Sequence, residues 1–197
     1  MTFSLAVPRS MRATTVVLAS ALATCAALLL PTLAQAQKAQ PSSGGLTSKS
    51  AESSLPPEVV PGEKAKLLPN GVAVPPASAP PEVKAVIAAG NRIARKPYKW
   101  GGGHARLNDT GYDCSGSVSY ALRKAGLLSY SLASGPFMRW GARGRGKWIT
   151  IRTNPGHAYM IVAGLRFDTS ARKATGSRWT ATKRSARGFV ARHPVGF

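Results

Sequence analysis

Tyr112-Asp113-Cys114-Ser115-Gly116 is the stretch around which the rest of this chain is organised. Apolar residues follow the cysteine at the spacing of one helix face: Val118, Ala121, Leu122 and Ala125. Asp113 is a good N-cap residue, so Cys114 is expected to occupy the first helical position. There the unpaired N–H groups and the helix dipole favour a thiolate and can also hold an oxyanion. The stretch predicts a catalytic thiolate; the alternative is a small buried hydrophobe.

The N-terminus has the pattern of a secretory signal peptide in residues 1–36. A basic start precedes an apolar run at residues 14–30, and Ala34-Gln35-Ala36 matches a cleavage site. A membrane-spanning helix is disfavoured because the apolar run is short and a cleavage site follows it. A lipid anchor on Cys25 is also disfavoured, since a threonine precedes it and the apolar run continues past it. The sequence therefore predicts an exported, extracytoplasmic protein that does not remain in the membrane after cleavage.

Signal removal leaves Cys114 as the only cysteine, so the mature chain cannot form an internal disulfide. An unpaired cysteine in an exported protein is expected to serve catalysis or to pair with another molecule. A single cysteine in an oxidising compartment therefore favours the nucleophile interpretation.

The charge of the chain is strongly one-sided. It has 27 Lys and Arg against 7 Asp and Glu, a formal net charge of +20 that falls to about +18 without the two signal arginines. A field of this size favours polyanions such as wall teichoic acids, anionic lipids or outer polysaccharides as partners, and the alternative is a solvated basic surface. No nucleic-acid motif is recognisable, so no specific nucleic-acid partner is predicted.

Composition divides the mature chain into two parts. Residues 37–80 are dominated by Pro, Ser, Ala and Gly and show no sustained period, which predicts a disordered linker. Residues 81–197 have the length and apolar content of one domain with a single core. A helix is predicted from Pro81 to about Arg95, with Pro97 ending it.

The period of the sequence changes after the cysteine helix, which is expected to end near Gly126. Residues 127–147 read as irregular, because glycines and a proline punctuate them. Alternating residues then predict strands, with a hairpin turn at Gly164-Leu165, over residues 148–152, 157–163, 166–169 and 188–192. Helices first and strands afterwards indicate an α+β domain with an antiparallel sheet.

A cysteine nucleophile needs a base, and the base needs an orienting group. His157 is favoured among the three histidines because it begins a predicted strand; His104 and His193 are the alternatives. Asp168 lies 11 residues further on, on the strand paired by the hairpin, where its carboxylate can hold the imidazole. Its alternative role is capping of the strand end. No metal site or cofactor is predicted, because one cysteine and scattered histidines lack ligand spacing.

Three motifs together resemble the signatures of NlpC-like cell-wall cysteine peptidases. In order, they are Tyr98-Lys99-Trp100-Gly101-Gly102, then Asp113-Cys114-Ser115-Gly116, then Gly156-His157-Ala158-Tyr159-Met160-Ile161-Val162. The match covers roughly residues 82–170. The resemblance implies a papain-like fold, with the cysteine helix packed on the sheet. It also implies hydrolysis of amide bonds in peptidoglycan stem peptides.

The resemblance also implies roles for individual residues. Cys114 matches the nucleophile, His157 the base and Asp168 the third member, a position more often occupied by His, Asn or Gln in this family. Tyr98 would donate to the oxyanion, and Asp113 would meet the free amine of a trimmed stem. Ser115 belongs with these substrate-facing and oxyanion-facing positions.

Three functions are compatible with the sequence. The first is the peptidase, expected to act as a monomer at the cell wall or in the periplasm. The second is an N-acetylmuramoyl-L-alanine amidase on the same fold. The third is a basic wall-binding protein whose site is idle.

Overall fold

The computed structural model describes residues 59–197, so the predicted signal peptide lies outside the described residues. Its helices are α1 (Pro81–Ile93), α2 (Cys114–Lys124), α3 (Ser134–Phe137) and α4 (Arg172–Thr175). Its strands are β1 (Lys66–Leu67), β2 (Ala73–Val74), β3 (Ala142–Arg143), β4 (Ile149–Asn154), β5 (His157–Val162), β6 (Leu165–Phe167), β7 (Trp179–Thr180) and β8 (Val190–His193). A 3-10 turn over Thr169–Ala171 precedes α4.

One antiparallel sheet in the order β3-β8-β4-β5-β6-β7 forms the centre of the domain. Alternate residues of its inner strands are fully buried, as expected for a sheet with one face against helices: Ile149, Ile151, Met160, Val162 and Phe167. Helices α1 and α2 pack on each other and on β5. The prediction of an α+β fold, with the cysteine-bearing helix on an antiparallel sheet, is confirmed.

Helix α1 follows from its apolar stripe and its prolines. Val83, Val86 and Ile87 are fully buried in the core, at the spacing that one helix face requires. Pro81 occupies the start of the helix, where its missing N–H is not needed. The helix ends at Ile93, two residues before the predicted end.

The β5–β6 hairpin sets which residues of the two strands are neighbours. Its turn residues are Ala163 and Gly164, both with positive φ, as a two-residue type I′ hairpin turn requires. The turn therefore lies one residue earlier than the predicted Gly164-Leu165, and Leu165 belongs to β6. Met160 pairs with Phe167 and Ile161 with Arg166.

The structure differs from the predicted linker boundary at residue 81. Within residues 59–80, β1 and β2 form a small antiparallel sheet, and Ala73 is buried in the core. The Asn91 side chain of α1 bonds both the N–H and the carbonyl of Ala73, and Ala65 N–H donates to the Ala163 carbonyl. Such tertiary hydrogen bonds can order a Pro- and Ala-rich segment that composition alone classes as disordered. Residues 37–58 lie outside the described part of the chain.

The segment 127–147 is mostly irregular, as predicted, but it contains two short elements. One is α3, and the other is β3, which pairs with β8. Strand β8 lies between β3 and β4, so the last strand in the chain is built into the sheet. Over residues 59–197, no helix combines the length and the apolar character needed to cross a membrane.

Candidate active site

Cys114 is the first residue of α2, as the sequence predicts. Asp113 is the N-cap, and its Oδ1 accepts from the N–H of Gly116 at 2.6 Å. A glycine is required at position 116 for a steric reason, since a Cβ on Gly116 would collide with the carbonyl oxygen of Gly102. The first turn of α2 thus packs directly on the glycine loop, and the cysteine is presented where that loop and the helix meet.

The carboxylate of Asp113 is occupied by the scaffold around the cysteine. Besides capping the helix, its Oδ2 accepts from Gly101 N–H at 3.1 Å, and Oδ1 lies 3.1 Å from His104 Nε2. The Ser115 hydroxyl donates to Oδ1 at 3.2 Å. Only 12% of the side chain is exposed. These contacts are all within the protein, and the predicted contact of Asp113 with a substrate amine stays a prediction.

His157, the first residue of β5, interacts with the Cys114 thiol. Burial raises the pKa of Cys114, but hydrogen bonding to His157 and to the Ala158 N–H outweighs it, so the thiol pKa falls below its ordinary value. Burial lowers the pKa of His157, yet hydrogen bonds to Asp168 and Cys114 raise it to about 9. Both shifts stabilise the charged forms of the pair, the thiolate and the imidazolium, relative to the neutral forms.

Asp168 holds the imidazole from the other side. Its side chain is 0% exposed, and its Oδ1 lies 3.1 Å from His157 Nε2. Burial alone would raise the pKa of this carboxyl, but the His157 and Ser170 hydrogen bonds hold it well below its usual range. Because Nε2 is engaged by the carboxylate, Nδ1 is the ring nitrogen left for the thiol.

Asp168 also caps the 3-10 turn that follows β6, since its Oδ1 accepts from Ser170 N–H at 2.9 Å. The carboxylate that contacts the imidazole therefore also caps this turn, and its catalytic role stays a prediction. Continuing the β5–β6 register places Asp168 opposite Tyr159, which is two residues from His157. The hairpin brings the pair together.

Arg184 is a member of this cluster that sequence reasoning missed. Its Nη1 donates to Asp168 Oδ2 at 3.0 Å and lies 3.3 Å from His157 Nε2. The guanidinium also lies over the Tyr159 and Phe189 rings, 5.4 and 5.3 Å from their centroids. One carboxylate is thus shared between an imidazole and a guanidinium. Among many arginines, nothing in the local sequence singles out this one.

The other two histidines lie elsewhere. His104 bonds Asp113 and Ser115 on the glycine-loop side of the cysteine, and the Asp113 hydrogen bond raises its pKa. His193, in β8, interacts through Nδ1 with the Gly144 carbonyl at 3.1 Å. Of the three histidines, His157 is the one whose hydrogen bonding lowers the Cys114 pKa.

Tyr98 lies close enough to Cys114 to feel its charge and is 53% exposed. Burial of part of the ring and the negative charges of Cys114 and Asp113 raise the pKa of its phenol, which therefore remains a hydroxyl donor. The structure thus brings Tyr98, Asp113, Ser115 and Cys114 together on one side of the site.

Arg178 is a second residue that sequence reasoning missed, and it fixes the helices behind the site. It is 0% exposed and donates to the carbonyls at the end of α1 and in the loop before α2, those of Ile93, Lys96, Pro97 and Tyr112. Its Nε donates to Ser117 Oγ in α2. Burial lowers its pKa to about 10, so it stays charged at neutral pH. Carbonyls at a helix C-terminus carry the partial negative charge that such a cation needs.

The comparisons with known proteins are sparse. No protein-family model matches the chain, and neither does any curated protein. A solved structure that matches is the P60 domain of an antigen from M. avium subspecies paratuberculosis, with 21% identity and a TM-score of 0.42. The match covers 56% of this chain and 93% of that one. At this likeness, the activity must be inferred from the residues of the chain itself.

Proposed function

We propose that the chain is an exported cysteine peptidase, resembling the NlpC-like enzymes and papain-like in fold, that hydrolyses amide bonds in peptidoglycan stem peptides. The observation that carries the proposal is the Cys114–His157–Asp168 array. A thiol at a helix N-terminus interacts with an imidazole, and a buried carboxylate 3.1 Å away holds that imidazole. Nucleophile, base and orienting group are the three parts that acyl transfer by a thiol requires.

The first half of the reaction forms an acyl-enzyme. His157 holds the thiol proton, and the Cys114 thiolate attacks the carbonyl carbon of the substrate amide. The Cys114 N–H and the Tyr98 hydroxyl stabilise the oxyanion that develops. His157 then gives its proton to the leaving amine, the C–N bond breaks, and a thioester remains.

The second half restores the enzyme. His157 accepts a proton from water, and the resulting hydroxide attacks the thioester carbonyl. The C–S bond breaks, the product leaves as a carboxylic acid, and the sulfur returns to its ion pair with His157. Asp168 keeps the ring oriented through both halves.

Peptidoglycan as the substrate is inferred from the resemblance of the three motifs and from the charge. The formal net charge, about +18 once the two signal arginines are removed, favours residence near anionic wall polymer. The proposed spacer shortens to residues 37–58, because residues 59–80 pack on the domain. We propose a monomer acting outside the cytoplasm, at the wall or in the periplasm.

Mass spectrometry of purified peptidoglycan fragments tests the proposal. Wild type is expected to divide stem peptides, whereas Cys114→Ala and His157→Ala are expected to leave them whole. His193→Ala is the matched control for the second variant, since His193 contacts a carbonyl of the β3–β8 end of the sheet and not the thiol.

Three outcomes would contradict the proposed peptidase. Glycan released with its stems intact would indicate the amidase on the same fold. Stem cleavage that persists in Cys114→Ala would remove the thiol mechanism. If wild-type protein leaves fragments whole yet binds the wall as well as Cys114→Ala does, the chain is an idle wall-binding protein.

A further inference from the structure

The sheet carries a basic pocket on the face turned away from α1 and α2. Residues of β4, β5 and β6 that alternate with the buried core positions line it. The sheet register pairs Arg152 with Tyr159 and Arg166 with Ile161, so two arginines flank the central strand on this face. The pocket has a volume of about 480 Å³.

Six cationic side chains line this pocket: Lys64, Arg145, Arg152, Arg166, Lys183 and Arg184. Among residues 59–197, none that lines it is a carboxylate. Asp168 accepts from Arg184 and lies 3.7 Å from Arg166 Nε, but its carboxylate also bonds His157. The Glu63 carboxylate lies 4.0 Å from Lys147 Nζ. The pocket thus holds an excess of positive charge that the described part of the chain does not neutralise.

Two donors in the pocket wall make no hydrogen bond, although Arg166 Nε lies 3.7 Å from Asp168 Oδ2. The Nε atoms of Arg152 and Arg166 are buried and without a hydrogen-bond partner in the described structure. A buried donor that lacks an acceptor is costly, and the charges of Arg152 and Arg166, on the two strands either side of β5, repel each other. An anion in the pocket would offset the positive charge of these guanidinium groups.

We propose that this pocket binds an anion of the phosphate class, either a free phosphate or a phosphodiester group of an anionic polymer. Guanidinium groups form paired hydrogen bonds to the oxygens of a phosphate. Six cationic side chains carry more positive charge than the single carboxylate of Asp168 can neutralise. The site does not depend on the proposed peptidase activity. Because Arg184 lines the pocket and donates to Asp168, an anion bound here shares a guanidinium with the His157–Asp168 pair.

A charge-matched pair of double variants tests the site. Arg145→Gln with Lys183→Gln removes two exposed charges from the pocket. Lys84→Gln with Lys173→Gln removes two charges from helices α1 and α4, outside the pocket. All three proteins are titrated calorimetrically with inorganic phosphate, with a glycerol phosphate oligomer and with acetate, at one fixed ionic strength because salt screens exposed charges.

Wild type and the α1/α4 variant are expected to bind phosphate alike, and the pocket variant to bind about tenfold or more weakly. Equal binding of phosphate and oligomer indicates a free phosphate as the natural ligand, and tighter oligomer binding indicates a polymer. Equal weakening in both double variants, or acetate bound as tightly as phosphate, would overturn the proposal. Arg152→Met supplies a further check, since loss of this guanidinium charge from the pocket must also weaken phosphate binding.

Discussion

Replacing Asp168 with asparagine removes the negative charge that holds the imidazole and leaves the size of the side chain almost unchanged. The wild-type carboxylate lies 3.1 Å from His157 Nε2 and is fully buried. Its charge stabilises the imidazolium, so its hydrogen bond raises the pKa of His157. In the Asp168→Asn variant the side-chain amide oxygen can still accept a hydrogen bond, but it carries no charge. The variant therefore separates the electrostatic role of Asp168 from its steric role.

The direction of the change in the His157 pKa depends on which protonation state of His157 the Asp168 charge stabilises. The thiolate–imidazolium pair persists up to the pKa of His157, about 9, where the imidazolium loses its proton. Without the carboxylate the imidazolium is less stable, so this pKa falls and the alkaline limb of the activity moves to lower pH. An opposite charge at this distance changes a pKa by about one to three pH units, which places the new limb between about pH 6 and 8. Loss of an orienting partner is expected to lower kcat/KM by about 10- to 100-fold.

Two measurements check the shift. One is the pH profile of stem-peptide hydrolysis, and the other is the pH dependence of Cys114 alkylation, read by peptide mass mapping. Glu82→Gln is the matched control, because it makes the same chemical change in the first turn of α1. An alkaline limb that stays near pH 9 in a folded Asp168→Asn protein would refute the argument that this carboxylate sustains the imidazolium. Thermal unfolding of the variant shows whether it is folded.

Three further variants test the surroundings of the thiol. Tyr98→Phe is expected to lower kcat by about 10²–10³-fold with little change in KM, as loss of an oxyanion donor does, and a change confined to KM would contradict that role. Gly116→Ala is expected to destabilise the fold by at least about 1–3 kcal/mol in denaturant unfolding, because its Cβ meets backbone, whereas Gly135→Ala, with open space around it, should be near neutral. Arg178→Met is expected to cost about 3–5 kcal/mol, since it leaves buried carbonyls unpaired; a loss no larger than that of the exposed Arg139→Met would contradict it.

Local chemistry made the cysteine helix predictable. An N-cap aspartate followed by an apolar stripe specifies a helix start through contacts between near neighbours, and α2 begins at Cys114. The His157–Asp168 proximity was also predictable, because a hairpin turn fixes strand register over a short distance. The turn itself lies one residue from its predicted position, without changing which strands pair.

Long-range contacts account for what the sequence did not predict. Residues 59–80 lack a period of their own, and they are ordered by tertiary contacts such as the Asn91–Ala73 bonds. The local sequence around Arg178 and Arg184 does not distinguish them from the other arginines of the chain. Only the fold buries Arg178 at the C-terminal end of α1 and brings Arg184 to the Asp168 carboxylate.

The sequence by itself determined an α+β domain with a cysteine at a helix start and a histidine at a strand start, because helix caps, periodicity and hairpin turns act over short stretches of chain. The tertiary structure alone decided that Cys114 and His157 interact, and that Arg178 and Arg184 bond residues of the site. It also decided that six cationic side chains line one pocket on the sheet. The reason is physical: side chains distant in the chain come into contact, lose water and change their pKa values only when the core has packed.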